Sequence, residues 1–173
     1  TFTINECYSI GNIVGSISGG ITGSEVCYIA SGGTINITNC YSTGNITGSN
    51  AGGITGRALG LGDLAIDQSN LTININKCYS TGDLGISSLL SPGGIVGSIL
   101  GRNSKNLTVN IDECYSTGNI GTQAGGILGN RTGVSSDSIT VNVNNCYSLG
   151  QISTNAGGIY GYQTGFGATN ITT

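Results

Sequence analysis

Histidine, methionine and tryptophan are absent from this 173-residue chain, and it has a single proline, Pro92. Without histidine it has no Ser-His-Asp triad and no histidine-based metal site. Charged residues make up 8% of the chain, against about 25% in an average soluble domain. The five basic residues are scattered and the net charge is −3. Nucleic-acid binding is therefore not expected, because phosphate neutralisation needs clustered Lys and Arg. No apolar run approaches the roughly 18 residues of a membrane-spanning helix, so membrane insertion is not expected either.

The chain is rich in glycine and consists of repeated sequence motifs. Glycine supplies 32 positions. One phrase occurs in five copies, spaced by 32 to 38 residues: a Thr-led apolar strand, then Cys-Tyr-Ser-x-Gly, then Gly-Gly-Ile-x-Gly. Such a period is typical of stacked architectures, in which each unit buries its apolar side against its neighbours. We expect one solenoid domain over residues 1–173, with periods that begin at Thr1, Thr34, Thr72, Thr108 and Thr140.

Within each copy, apolar and polar residues alternate before the cysteine, as at Ile35 and Ile37. This period of two indicates a half-buried strand. The two residues directly before each cysteine are both polar, which interrupts the alternation and is typical of a corner in the chain. The even spacing from each cysteine to the isoleucine or leucine six residues later places the cysteine inward and the tyrosine outward. Insertions between Ile54 and Thr72 and around Ser87 to Pro92 predict loops. The predicted fold is an all-β parallel β-solenoid of about five coils, each with three short strands and glycines at the corners.

The segments NCYSTGNI (39–46) and AGGITG (51–56) together resemble the GLUG-motif repeats of bacterial surface adhesins and related repeat proteins. The likeness covers nearly the whole chain, through AGGILG (124–129) and AGGIYG (156–161). The resemblance implies a right-handed β-solenoid segment of a large exported protein, with a scaffolding or adhesive role. The expected location is extracellular, or on the surface of a cell or virion. The chain departs from the family in having Ile where the family's name implies Leu, and in its many Asn-x-Thr triplets.

Five of the six cysteines share one position of the repeat and should form an interior ladder. Neighbours in such a ladder lie about 4.8 Å apart, inside the disulfide range, but their parallel Cβ vectors make the disulfide torsion hard to satisfy. We expect reduced thiols that act as small apolar fillers, with metal binding as a further alternative. Cys27 stands outside the ladder; if a disulfide forms, we expect it between Cys27 and Cys7 or Cys40. The ladder comprises Cys7, Cys40, Cys78, Cys114 and Cys146.

Two outward columns could form a binding face. The tyrosines after the cysteines could contact sugars or another rod, although mutual stacking is the favoured interpretation. The strand-leading threonines, with an asparagine two positions on in four copies, form a Thr-x-Asn array. That array could order water as the Thr-x-Thr plane of ice-binding solenoids does. The tyrosine column comprises Tyr8, Tyr41, Tyr79, Tyr115 and Tyr147.

Asn-x-Thr triplets mark candidate N-glycosylation sites in an exported protein. Four of them are predicted at corners or loops, where they would be the most accessible acceptors: Asn70, Asn106, Asn130 and Asn170. Asn36 and Asn45 are further candidates.

No catalytic, cofactor-binding or metal site is predicted. Asp63 and Asp67 share an insertion and could approach Asp83 or Arg57, which would give the acidic groove of a polysaccharide-cleaving β-helix. Solvated loop charges are the favoured interpretation. The cysteines lack any C-x-x-C unit, and the Gly-x-Gly strings do not lie between a strand and a helix, so they indicate turns.

The next period should begin 13 residues after Ile159, where Thr172 is found. Solenoid ends expose unpaired strand edges, so the chain is expected to be an excerpt of a longer array or a subunit that stacks. The leading hypothesis is a non-enzymatic structural or adhesive solenoid that self-associates head to tail or forms part of a longer adhesin. Glycans or a host surface are its further expected partners. A carbohydrate-active or carbohydrate-binding β-helix and an ice-binding solenoid are the alternatives.

Overall fold

Ten short strands in two parallel sheets form the regular structure of the computed structural model, which describes residues 1–28, 30–65, 70–85 and 91–169. The strands are β1 Phe2–Asn5, β2 Tyr8–Ser9, β3 Gly32–Thr38, β4 Tyr41–Ser42, β5 Asn70–Asn76, β6 Tyr79–Ser80, β7 Thr108–Asp112, β8 Tyr115–Ser116, β9 Thr140–Asn144 and β10 Tyr147–Ser148. The odd-numbered strands form one sheet, in the order β1-β3-β5-β7-β9, and the even-numbered strands form the other, in the order β2-β4-β6-β8-β10.

Neighbouring strands pair in parallel, each residue lying opposite the residue at the same position of the next repeat. Ile73 lies opposite Val109, and Tyr79 lies opposite Tyr115. Parallel bridges outside the named strands extend this register around the coil, for example along the column from Ile13 to Ile152. The predicted all-β parallel β-solenoid is confirmed, and its strands lie at five levels, which we call rungs. The handedness of the coil stays a prediction.

The third element of each repeat is a tight bend with single bridges on both sides, where a third strand was expected. Gly93 bridges Gly125, and Val96 bridges Leu128. A Cβ atom on Gly93 would lie 1.8 Å from the carbonyl oxygen of Val96, and one on Gly94 would lie 2.0 Å from the carbonyl oxygen of Gly126 in the next rung. Only a residue without a Cβ atom fits at either place, which explains why each copy has two consecutive glycines.

The predicted polar corner between the two strands of each rung is confirmed. It turns through one residue whose backbone is left-handed, with φ between 51° and 55°. Asparagine adopts this conformation readily, whereas for glutamate and lysine it is sterically unfavourable. The corner residues are Glu6, Asn39, Lys77, Glu113 and Asn145.

The interior contains two apolar clusters separated by a row of serines. The larger cluster is formed by the odd-numbered strands, the cysteines and the isoleucine of each Gly-Gly-Ile segment, including Ile75 and Ile95. The smaller one includes Leu84 and Ala124. Between them, the serine of each inner Cys-Tyr-Ser segment is fully buried, as at Ser80. These serines pack against the second glycine of the Gly-Gly pair in the bend across the coil. The serine of the Cys-Tyr-Ser segment and the Gly-Gly pair are therefore complementary in size.

Candidate functional site

The five repeat-matched cysteines form one column, and the three in the inner rungs are fully buried. Cys7 is exposed and Cys146 is partly exposed. Each thiol donates a hydrogen bond to the carbonyl oxygen two residues earlier, at 3.1 Å from Cys40 Sγ to Thr38 and 3.0 Å from Cys146 Sγ to Asn144. The thiols therefore add a hydrogen bond to the carbonyl that precedes the left-handed corner, in addition to filling space.

All six cysteines are free thiols, the state favoured from the sequence, and the alternative disulfide from Cys27 to Cys7 or Cys40 is not formed in this structure. Cys27 lines a depression beside the beginning of β1 and β3, together with Phe2 and Ile35. Cys7 and Cys40 follow the other end of those strands. Residues along a strand advance by about 3.3 Å each, so several residues of strand place the two groups beyond disulfide reach. Within the described residues, no cluster of three or more Cys, Asp or Glu side chains could hold a metal ion.

The thiols of the column differ in acidity. Burial raises the pKa of Cys40 to about 11. Side-chain hydrogen bonds with Cys146 and Cys78, together with burial, raise the pKa of Cys114. Side-chain hydrogen bonding with Cys114 lowers the pKa of Cys146 to about 7, against the effect of burial. Cys146 is thus the ladder thiol in which partial exposure and thiolate character coincide, and this combination controls cysteine reactivity.

The tyrosines form an outward stack over all five rungs. Successive ring centroids lie 4.9–5.2 Å apart, and successive ring planes differ by 2–9°. Each inner ring, such as that of Tyr79, has both faces covered by neighbouring rings, so its edges and hydroxyl group face the solvent. Burial and the neighbouring phenols raise the pKa of Tyr115. Sugars cannot stack on the faces of the inner rings, and mutual stacking is the arrangement observed.

The outward face of the odd-numbered sheet carries the Thr-x-Asn array. Threonines lie opposite threonines, as Thr72 lies opposite Thr108. Beside them, in the last three rungs, Nδ2 of the asparagine donates to Oδ1 of the asparagine in the preceding rung. The distances are 2.9 Å from Asn74 to Asn36, 2.9 Å from Asn110 to Asn74 and 2.8 Å from Asn142 to Asn110. This amide ladder fixes the side chains in a regular array that runs in one direction along the axis.

The two described carboxylates proposed for an acidic groove, Asp63 and Asp83, do not converge. The backbone N–H of Asp83 donates to Asn45 Oδ1 at 3.1 Å, and Asp83 Oδ1 accepts the backbone N–H of Asn119 at 2.8 Å. Asp63 belongs to a different side of the coil. Its Oδ1 accepts the backbone N–H two residues later at 3.0 Å, and its side chain lines a shallow depression. Asp67 lies outside the described residues.

The predicted accessibility of Asn130 is wrong. Asn130 is 7% exposed and the hydroxyl-bearing Thr132 of its triplet is 2% exposed, because this corner packs between neighbouring rungs. The Asn130 amide also donates to Ser91 Oγ at 3.2 Å. A glycosyltransferase could not reach this side chain in the folded chain.

The other triplets differ in exposure. Asn70, at the beginning of β5, and Asn45 are exposed, whereas Asn36 and Asn106 are half-buried. Asn170 lies outside the described residues. Asn45 Oδ1 is already engaged by the backbone N–H of Asp83, so Asn70 is the most accessible of the described candidates.

A column of Asx and Gln residues at the bend after each even-numbered strand was not recognised in the sequence. Side-chain oxygens in this column accept the backbone N–H of the next rung, as Asn12 Oδ1 does from Asn45 at 3.0 Å and Asn119 Oδ1 does from Gln151 at 3.1 Å. The signal was present, because a polar amide or carboxylate residue stands five positions after every cysteine of the ladder.

Comparison with protein-family models, with curated proteins and with solved structures finds no match to this chain. In the described part of the chain, no helix has the length and apolar character needed to span a membrane.

Proposed function

We propose that this chain is a non-enzymatic structural and adhesive β-solenoid, which stacks end to end into a fibre or forms a segment of a longer surface adhesin. Its side chains are arranged in columns that run from rung to rung. The outward columns are ladders of tyrosine, threonine and asparagine. Among the described residues, the candidate carboxylates Asp63 and Asp83 serve local hydrogen bonds. These features favour a regular surface over a single reactive centre.

The observation that carries the proposal is the difference between inner and outer rungs. Ile152 is 54% exposed, whereas Leu84 and Ile120, in the same column, are 0% exposed. Phe2 is 53% exposed, whereas Ile73, in its column, is 0% exposed. One more rung of the same pattern would cover these side chains, and burial of apolar area stabilises by about 25 cal/mol per Å². A second copy or adjoining repeats could supply that rung.

An extracellular or surface location and attachment to glycans or a host surface belong to the same proposal. The likeness to adhesin repeats and the exposed Asn-x-Thr site at Asn70 support it. The three inner thiols of the ladder are compatible with an oxidising medium, because they are fully buried and oxidation requires access to the thiolate.

Sedimentation velocity and negative-stain microscopy of the 173-residue chain over a concentration series test axial stacking. We expect rods whose length increases with concentration while their width stays that of one coil. Ile152→Glu places a charge on the exposed end of an inner column and should stop the growth. Leu64→Glu, a control at an exposed loop position, should not. Short particles of one size at every concentration would refute stacking of copies.

Ice binding is the second candidate, favoured by the in-register threonines and the amide ladder beside them. Thermal hysteresis that is present in the wild type and lost in Thr108→Lys would support it. Absence of hysteresis in the wild type would eliminate it.

A further inference from the structure

A shallow depression over the last three rungs brings two arginines together. It has a volume of about 190 Å³ and is lined by Arg102, Arg131, Val134, Ser135, Gln163 and Phe166. The chain has five Lys and Arg residues and a net charge of −3, so two cations in one depression reverse the charge of the molecule locally. Pockets for drug-sized ligands measure about 300–1,000 Å³, and this smaller depression therefore suits one compact group.

The two arginines interrupt the pattern of the repeat. In-register backbone hydrogen bonds place Arg102, Val134 and Phe166 in one column. The other two members are apolar: Val134 is half-buried, and Phe166 is 66% exposed. Arg131 lies in another column, beside the uncharged Gln163 of the next rung. The positive charge is thus particular to this place on the solenoid, and it lies beside an apolar surface.

Both guanidinium groups are available to a ligand. Arg131 Nε donates to Gln163 Oε1 at 3.1 Å, which orients the guanidinium group and leaves its Nη groups for other partners. Over the described ranges, the one ion pair joins Lys77 to Glu113, so neither arginine of the depression is paired with a carboxylate there. Asp137, the carboxylate nearest to Arg131 in the sequence, accepts hydroxyl groups elsewhere and does not line the depression.

These groups match a ring that carries a carboxylate. A guanidinium group binds a planar carboxylate through two parallel hydrogen bonds. Ser135, which is exposed, supplies a hydroxyl group in the same depression. Val134 and Phe166 supply the apolar surface against which the C–H face of a sugar ring loses contact with water.

The charge of the chain favours a carboxylate over a phosphate. A phosphate monoester carries about −1.5 to −2 at neutral pH, whereas a carboxylate carries −1, and a chain of net charge −3 repels the monoanion less. A nucleic acid does not match, because its closely spaced phosphates require many clustered cations, and three of the five Lys and Arg residues lie outside the depression.

We propose that this depression binds a carboxylated sugar residue of a glycan. Arg102 and Arg131 hold the carboxylate, and the ring of Phe166 covers the apolar face of the sugar. The inference rests on the adhesive part of the proposed function, for which it names the ligand class, and it is independent of axial stacking.

The probe for this site is trigalacturonate, titrated into the isotope-labelled chain and followed by amide NMR. The methyl ester of the same trisaccharide is the uncharged control. We expect saturable shifts centred on residues 131–135, and weaker binding at higher salt because exposed charges are screened. Without the carboxylate charge, the ester should bind at least tenfold more weakly.

Three variants test the residues of the depression, and a fourth is the control. Arg102→Ala and Arg131→Asn should each weaken binding at least tenfold; asparagine suits the left-handed backbone at position 131, where φ is 63°. Phe166→Ala should weaken binding of trigalacturonate and leave that of inorganic phosphate unchanged. Arg57→Ala changes the net charge as much as Arg102→Ala does, but Arg57 does not line the depression, so binding should equal that of the wild type.

Equal binding by the wild type, Arg102→Ala and Arg131→Asn would overturn the proposal. An equal loss in Arg57→Ala would do so too, because the effect would then reflect overall charge. Inorganic phosphate bound as tightly as trigalacturonate would overturn the assignment to sugars. The amide spectrum identifies any variant that fails to fold; if Arg102→Ala is one, Arg131→Asn decides, since Arg131 is exposed.

The outcome is separable from that of the proposed function. Rods that grow with concentration but do not bind trigalacturonate would overturn this inference and leave stacking intact. Glycan binding that none of the arginine variants changes would keep the adhesive role and remove this site from it. Binding at this site by particles of constant size would support the inference and refute stacking of copies.

Discussion

Alanine at two equivalent glycines of the repeat should have opposite effects on stability. Gly11 and Gly82 both stand four residues after a ladder cysteine. A Cβ atom on Gly82 would lie 2.0 Å from the carbonyl oxygen of Gly44 and 2.8 Å from the backbone nitrogen of Asn45, both in the preceding rung. A Cβ atom on Gly11, in the first rung, meets nothing within 4 Å. The two positions differ in whether a rung lies against them.

The magnitudes follow from these distances. To accommodate alanine at position 82, two backbone segments must separate by about 1 Å, and such overpacking typically costs about 1–3 kcal/mol, occasionally more. Since backbone atoms cannot rotate away as side chains can, we expect about 3 kcal/mol of destabilisation. Gly11 lacks a positive φ, so alanine there should stabilise by about 0.4–1 kcal/mol through the unfolded state. Urea unfolding of both variants against the wild type measures the difference. Equal effects would refute the stacking of rungs at this column.

Three further predictions concern single columns. Glu113→Asn should stabilise the chain by about 1 kcal/mol, because asparagine adopts the left-handed corner more readily; Glu113→Gln should not, and equal unfolding midpoints for the two variants would contradict this. Alkylation of Cys146 by iodoacetamide should increase with pH through a midpoint at about 7, because the thiolate reacts, while fully buried Cys78 stays unmodified; a midpoint near the ordinary value of about 8.5 would contradict it. Asn110→Ala removes one donated and one accepted amide bond and should cost about 1–2 kcal/mol, roughly twice the loss in Asn142→Ala; equal losses in thermal unfolding would argue against the ladder.

The fold was predictable because residues at equivalent positions of the repeat are of the same type in every copy, and these residues form the columns of the solenoid. The alternation at Ile73 and Ile75, the polar corner and the inward cysteine each recur five times, so chance matches are averaged out. The in-register pairing then follows from the period alone, because one residue of slip would turn the apolar set to the solvent.

The site was less predictable, since it depends on which neighbour lies above each side chain. Asn130 belongs to a triplet that predicts an exposed corner, yet it is buried between rungs and bonded to Ser91. The conditional pairing of Cys27 with Cys7 or Cys40 likewise depends on position around the coil, since Cys27 lies beside the other end of the strands. Linear spacing along the repeat does not encode this placement around the coil.

The most direct test of the stacked register is a methyl NOE measurement on isotope-labelled protein in solution. The structure predicts close contacts between Ile73 and Val109 and between Ile75 and Ile111, which are paired in parallel. Cross-peaks that instead link Ile73 to Ile111 and Ile75 to Val109, the order of an antiparallel pair, would contradict the account.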